Sequence, residues 1–357
     1  MDKRAVFSVS ADSWSVQEGL SCYSDLLSDL YDFDDVDSID HLVSCLESES
    51  DAYAGCYARM IKRMNTLKFV GCNIPMVFVN GVPGGGKTKF VKDHVSSSES
   101  VVVVPFKGLR DDYRAAGYTA LTQYSAVSAL RRGPDTLVFD EFTCICKHVF
   151  LSCITIVEPK LLVVVGDVNQ CWLRDGEGES LETLLSVYSP SLVLNDCYRC
   201  PCPDVRLLGK LCDYDIRPAK CSSESDCSCV SYQFVQLSDD ADFETDGVSL
   251  CFSRSAQKHL ESLGVSAATV RSYMGKQSDK ICLFVLDNGD DFRVIKSRAL
   301  RIVGLSRHVS RLYIYSNLSE ADVMGLLGNA SDEMHRLDLV TDEECEDFIQ
   351  KFYQNLL

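Results

Sequence analysis

From Ile74 onward the apolar positions fall in short, β-branched runs separated by stretches of helical spacing, the alternation expected of parallel α/β sheets. A first series of candidate strands comprises Met76–Val79, Val101–Pro105, Thr136–Phe139 and Leu161–Val165. A second comprises Val248–Phe252, Ala268–Val270, Ile281–Leu286, Ile302–Leu305 and Leu312–Tyr315. Between them, Cys212 to Asp240 is irregular and rich in Cys, Ser and Asp, and reads as an insertion or long loop. Residues 1–72 form an acidic, Ser-rich leader, in which Leu26, Leu27, Leu30, Tyr31 and Phe33 suit an apolar stripe. It reads as an accessory helical region or a partly disordered arm. At the other end a helix is expected from Thr341, with Thr341-x-x-Glu344 as its capping box and Phe348, Ile349, Phe352 and Leu356 as its apolar face. The expected division is 1–72 accessory, 73–190 first α/β domain, 191–330 second α/β domain and 331–357 C-terminal helix.

Composition narrows this picture. At 357 residues and 46% hydrophobic content, the chain can bury the cores of two or three domains and is not a disordered protein. No apolar stretch is long enough to span a bilayer and no signal peptide opens the sequence, so a transmembrane segment is not expected. The net charge of −17 argues against a general nucleic-acid coat, but it is uneven: Asp12 to Asp51 contains no Lys or Arg. A local basic groove elsewhere is compatible with it. The 18 cysteines are scattered, several inside apolar runs (Cys153, Cys251, Cys282), and read as reduced core thiols of a cytosolic protein.

The chemistry begins where the first strand ends. Gly81-Val82-Pro83-Gly84-Gly85-Gly86-Lys87-Thr88 is G-x-x-x-x-G-K-[ST], between a strand and the start of a helix. Its glycines let successive N–H groups converge on one anion, and the helix adds the positive end of its dipole. Lys87 is placed to bridge the β- and γ-phosphates of an NTP, and Thr88 to hold Mg²⁺. Leu137-Val138-Phe139-Asp140-Glu141 ends a strand in two carboxylates. Asp140 suits Mg²⁺ ligation and Glu141 suits orienting or deprotonating a water. Beyond the strand Leu162–Val165, Gln170 either senses the γ-phosphate or belongs to an ordinary Gly-Asp-Asn turn. Arg199 and Arg307, near element boundaries, are surface cations or the charges that stabilise phosphoryl transfer from a facing domain.

The ordered strings GVPGGGKT, VVVVPFKGLRDDY, LVFDEFT, VVVGDVNQ, CYRCPCPDV, TVRSYMGKQSDKICLFVL and VGLSRHVSRLYIYS resemble the superfamily 1 RNA helicases of alphavirus-like positive-strand RNA viruses. Those around Arg199 and Arg307 are similar to tobamovirus-type replicase helicases. The resemblance spans about Ile74 to Ser316. It implies two RecA-like domains with ATP and Mg²⁺ between them, the first carrying Lys87, Thr88, Asp140, Glu141 and Gln170, the second Arg199, Gly275 and Arg307. It further implies RNA contacts at Pro105, Tyr124, Ser125 and Lys258, RNA 5′-triphosphatase activity in the same site, viral replication partners and a place in the host cytoplasm, at replication complexes. One departure stands out. Family members usually carry an acidic residue and a Gln before the glycine that is Gly275 here, and a Thr or Ser after it. This chain has Tyr273-Met274-Gly275-Lys276, at the site that in the family commonly couples hydrolysis to RNA movement.

The same helicase core occurs in triple-gene-block movement proteins, which bind and transport RNA, and an NTPase scaffold without processive unwinding is a third reading. Cys197-x-x-Cys200 and Cys227-x-Cys229, with Cys202, Cys212 or Cys221, offer thiols for Zn²⁺. Their intervals match no common finger, and core thiols are the expectation.

Overall fold

The computed structural model describes residues 74–145, 147–170, 190–221, 227–237, 245–287 and 289–328. The acidic leader and the helix expected from Thr341 lie outside the described residues. Strands β1 (Met76–Gly81), β2 (Ser100–Val104), β3 (Thr119–Thr122), β4 (Thr136–Asp140), β5 (Leu161–Gly166) and β6 (Leu192–Leu194) form one parallel sheet in the order β3-β2-β4-β5-β1-β6. Every residue of β2, β4 and β5 is buried, as expected of parallel strands covered on both faces. Helices α1 (Lys87–His94), α2 (Lys107–Ala115), α3 (Gln123–Ala129) and α4 (Lys147–Val157) connect these strands. The register pairs Asn80 with Gly166 and Asp140 with Val165, so the P-loop, the acidic pair and the Gly166–Gln170 turn leave the sheet at one carboxyl edge. That edge is where ligands of open α/β sheets bind.

A two-stranded pair, β7 (Asp196–Cys197) with β8 (Arg217–Pro218), leads to the second sheet. This sheet comprises β9 (Gln233–Gln236), β10 (Val248–Cys251), β11 (Ala267–Thr269), β12 (Ser278–Phe284) and β13 (His308–Ser316), all parallel, in the order β11-β10-β12-β13-β9. Its helices are α5 (Cys202–Leu211), α6 (Arg254–Ser262), α7 (Gly289–Ile295), α8 (Arg298–Leu305) and α9 (Glu320–Gly328). Leu250, Leu283, Ile302, Val303, Leu312 and Ile314 share one core on this sheet. Val77, Val79, Phe90, Val102, Val138 and Val163 share another on the first. Among the described residues no helix is long and apolar enough to cross a membrane.

Three sequence expectations are corrected. Ile302–Leu305 is not a strand but the last turn of α8. Ser297 caps that helix by accepting from the Leu300 amide, and Leu300 to Leu305 are buried on every side, which erases the periodicity that separates helix from strand. The Cys212–Asp240 stretch is not wholly loop: it contains β8 and also β9, which pairs with Tyr313–Ser316 at the sheet edge. Finally, β3 and β6 are additional strands of the first sheet, short and partly polar or half-exposed.

Candidate nucleotide cleft

The P-loop folds as its glycines allow, with φ of +68° at Gly84 and +90° at Gly86. Lys87 opens α1, and its buried ammonium donates to the carbonyls of Gly81 (2.9 Å) and Val82 (3.1 Å). The Thr88 hydroxyl donates to Asp140 Oδ2 at 2.8 Å. Tyr113, from α2, donates to the same oxygen at 2.8 Å, and the Glu141 amide donates to Oδ1 at 2.9 Å. Burial pushes the Asp140 carboxyl up to about 6, reinforced by the Glu141 charge and opposed by the Thr88 and Tyr113 hydrogen bonds and by Lys87. A cation against this carboxylate favours its charged form. Thr88 and Asp140 are hard oxygen donors at bonding distance from each other, a set that fits Mg²⁺.

A cleft of about 340 Å³ opens over this loop. Gly84 to Lys89 and Glu141 line one wall, and Tyr198, Arg199, Gln277 and Val309 line the other. Arg199 is braced by an Nη1 bond to the Ser306 carbonyl at 3.1 Å. Arg307, buried beside it, donates from Nη2 to Gln170 Oε1 at 2.7 Å and turns its other nitrogens toward the carbonyls of Val303 and Lys276, both at 3.4 Å. Burial, then the neighbouring Arg199 charge, lowers its pKa to about 10, which leaves it cationic at neutral pH. Gln170 in turn donates to the Asp167 carboxylate, which also accepts from the Tyr214 hydroxyl. Arg298 of α8 holds Asn169 Oδ1 at 2.9 Å. Both sides of the turn after β5 are therefore gripped by residues of the second sheet's half.

The structure brings Lys87, Thr88, Asp140, Glu141 and Arg199 to one cleft and ties Gln170 to Arg307 directly behind it. Gly275 stands elsewhere. It has φ of +75°, and a Cβ there would lie 3.0 Å from the Phe106 ring, so it abuts the segment after Pro105 while Gln277 faces the cleft. Met274 is buried in the second core and does not line the cleft. Pro105 is itself buried at the carboxyl end of β2. Tyr124 and Ser125 follow β3 at the same edge, where the Ser125 hydroxyl bonds the Thr122 carbonyl at 3.0 Å; the Tyr124 side chain lies outside what is described. Lys258 is exposed on α6, away from the cleft lining. Tyr113, Tyr214, Gln277 and Arg298 are the residues that sequence reasoning missed. Tyr113 and Gln277 had a signal, lying within the strings VVVVPFKGLRDDY and TVRSYMGKQSDKICLFVL.

The two walls touch at Gly84. Its carbonyl accepts from the Tyr198 amide at 3.0 Å, and a Cβ at Gly84 would lie 2.5 Å from Arg199 Cβ. Gly84→Ala is therefore expected to impose both a left-handed backbone cost of about 1–2 kcal/mol and a displacement of Arg199. Nucleotide affinity measured by fluorescent-analogue titration should fall about tenfold or more, the equivalent of ~1.4 kcal/mol. Unchanged affinity would show that the two walls separate freely.

Two parallel sheets on either side of a P-loop cleft, with Arg199 on the wall opposite the loop and Arg307 on Gln170 behind it, define a helicase-type NTPase core. The chain belongs to the viral superfamily 1 RNA helicase core domain family, whose model matches residues 77–316. It is 25% identical over 286 residues to the replicase of Beet necrotic yellow vein virus (isolate Japan/S), covering 75% of this chain and 13% of that protein. It is 24% identical over 280 residues to the movement protein TGB1 of Barley stripe mosaic virus, covering 74% of this chain and 48% of that one. The replicase large subunit of Tobacco rattle virus (isolate PpK20) is 24% identical over 294 residues, covering 75% and 17% respectively. The chain thus spans less than half the length of each of these relatives. Among solved structures, the arterivirus nonstructural protein 10 helicase in complex with DNA aligns with a TM-score of 0.51 at 17% identity, covering 76% of this chain and 65% of that one. The PRRSV helicase aligns with a TM-score of 0.52 at 15% identity, covering 70% and 54%. These likenesses show the RecA-like helicase fold, and the family makes the chain a nucleotide-dependent RNA helicase core.

Proposed function

We propose that this chain is the helicase portion of a viral replicase, hydrolysing ATP with Mg²⁺ to move along and unwind RNA in the host cytoplasm, with other viral replication proteins as partners. The observation that carries this reading is the pairing of Arg307 with Gln170 behind a cleft whose opposite walls bear Lys87 and Arg199. The working halves are residues 73–190 and 191–330. The amides of Gly84, Gly86, Lys87 and Thr88 cradle the phosphates, and Lys87 leaves the Gly81 and Val82 carbonyls to meet the β- and γ-oxygens. Thr88 and Asp140 hold Mg²⁺, which when bound neutralises charge on those oxygens. Glu141, in the left-handed region at the cleft edge, orients the attacking water. Arg199 and Arg307 stabilise the charge that spreads over the transferred phosphoryl group.

Release of γ-phosphate removes the partner that Gln170 and the arginines share, and the two halves shift relative to each other. Gly275 reports that shift to the RNA path through its contact with Phe106, next to Pro105. Tyr124, Ser125 and Lys258 extend the same path, holding RNA by its phosphates and by stacking, with little sequence preference. The amide of Gln277 supplies a polar group to the cleft where Met274 supplies none. The same site accepts the 5′-triphosphate of RNA.

The test is ATP hydrolysis and duplex unwinding measured side by side across a salt titration. Single-stranded RNA should stimulate hydrolysis, stimulation should weaken as salt rises, and unwinding should require ATP. Hydrolysis with no unwinding at any salt would instead favour an NTPase scaffold, and the segment around Met274 would be the place to look.

A further inference from the structure

The thiols divide into two kinds. Cys197, Cys200 and Cys212 are buried in the core, as a reduced chain would place them. Cys202, Cys221, Cys227 and Cys229 are different: their sulfurs all lie within 4.8 Å of one another, and the last three are only half-buried. Cys221 Sγ stands 3.3 Å from Cys227 Sγ and 3.6 Å from Cys229 Sγ. Apolar burial does not explain thiols gathered at a half-open surface. A disulfide does not explain them either, since its sulfurs stand about 2.05 Å apart. Thiolates around one tetrahedral Zn²⁺, at about 2.3 Å from the metal, stand ~3.8 Å from each other. Cysteines around a polynuclear iron–sulfur cluster stand farther apart. Among the described residues no other group of three or more Cys, His, Asp or Glu meets this geometry.

We infer that Cys202, Cys221, Cys227 and Cys229 bind one structural Zn²⁺. On binding, the thiols release their protons and four thiolates close the coordination shell, leaving no open position for chemistry. The surroundings suit a dianionic centre. Cys202 is the first residue of the ten-residue helix α5, where the helix dipole favours negative charge.

The site has a structural task to perform. The chain departs at β8, passes the cluster and returns as β9, and among its described residues from 219 to 232 none is a buried apolar side chain of the core. Lys220 ties one side of it to the Val309 carbonyl at 2.8 Å. On the other side, the Tyr232 amide donates to Asp204 Oδ1 at 2.7 Å. Asp204 Oδ2 also holds buried His308 at 2.9 Å, next to Arg307. Cys202 follows Arg199 in the chain and Cys200, whose sulfur lies 3.5 Å from the Ser306 carbonyl and 3.4 Å from that of His308. The metal would therefore cross-link the excursion to the start of a helix whose Asp204 holds His308, the neighbour of Arg307.

Protein purified under reducing conditions, without a metal-affinity tag, should contain about one zinc per chain by inductively coupled plasma mass spectrometry. Cys227→Ser combined with Cys229→Ser should reduce this below about a tenth of an equivalent, whereas Cys282→Ala, outside the cluster, should keep it. If the double variant does not fold, wild-type protein stripped by a chelator and titrated with Co²⁺ serves instead. It should develop the visible bands of tetrahedral thiolate cobalt at one equivalent and lose them when Zn²⁺ is added. Absence of zinc together with no such bands would overturn the assignment. So would full retention of zinc by the double variant, a Cys221–Cys227 disulfide in the mass spectrum of the native protein, or one equivalent of iron in place of zinc.

Discussion

Arg307→Ala is expected to lower ATP turnover about 10³-fold, the lower end of what a transition-state arginine contributes in phosphoryl transfer. The reason is positional. Arg307 is fixed by Gln170 Oε1 and by the Val303 and Lys276 carbonyls, so its planar fork is already oriented before nucleotide arrives. Arg307→Lys should recover little of the loss, because an ammonium cannot hold Gln170 while also spreading charge over the phosphoryl oxygens. Removing the guanidinium also strands the Gln170 acceptor, at about 1–3 kcal/mol, so thermal unfolding must accompany the kinetics. A folded Arg307→Ala protein with nucleotide affinity near wild type and turnover within tenfold of it would show that Arg307 serves packing alone.

Lys87→Ala should lower hydrolysis about 10²–10³-fold, as removal of a single preorganised donor does, and unwinding should disappear with it. Its ammonium sits between the Gly81 and Val82 carbonyls, which hold it in the loop before any phosphate does. The side-chain stem passes over Gly81, whose own Cβ would lie 2.9 Å from Lys87 Cγ. Lys87→Met keeps that stem while deleting the charge, and should be as inactive as Lys87→Ala but better folded. Hydrolysis at the wild-type rate in Lys87→Met would exclude this cleft as the site of turnover. Retained hydrolysis in Arg307→Ala with lost hydrolysis in Lys87→Met would confine the chemistry to the first wall.

The contrast between these residues and the missed ones shows what a sequence can disclose. Lys87, Thr88 and Asp140 are legible because their chemistry is local: a turn that only glycines allow, and a carboxylate directly after the apolar run Leu137-Val138-Phe139. The strands β1, β2, β4 and β5 are legible for the same reason, being short runs with no competing helical period. Ile302 to Leu305 misleads because a helix buried on all sides has no polar face to betray its period. Arg298 gives no local sign of its role, since its partner Asn169 lies 129 residues away in the chain. Tyr214 and Asp167, 47 residues apart, are equally silent until the fold joins them. The cysteine cluster combines both difficulties, because Cys202 is separated from its companions by β8 and the spacing alone matches no familiar finger.

The hydrogen bond from the Tyr198 amide to the Gly84 carbonyl has a thermodynamic corollary. Where nucleotide entry requires that tether to open, nucleotide binds with its intrinsic affinity only to the open fraction. Anything that biases the separation of the walls changes that fraction. If RNA is such an agent, linkage requires that it alter nucleotide affinity by the same factor by which nucleotide alters the affinity for RNA. The two binding constants, measured each in the absence and presence of the other ligand, should therefore close a square, and the coupling around it is the free energy that each ligand transmits to the other's site.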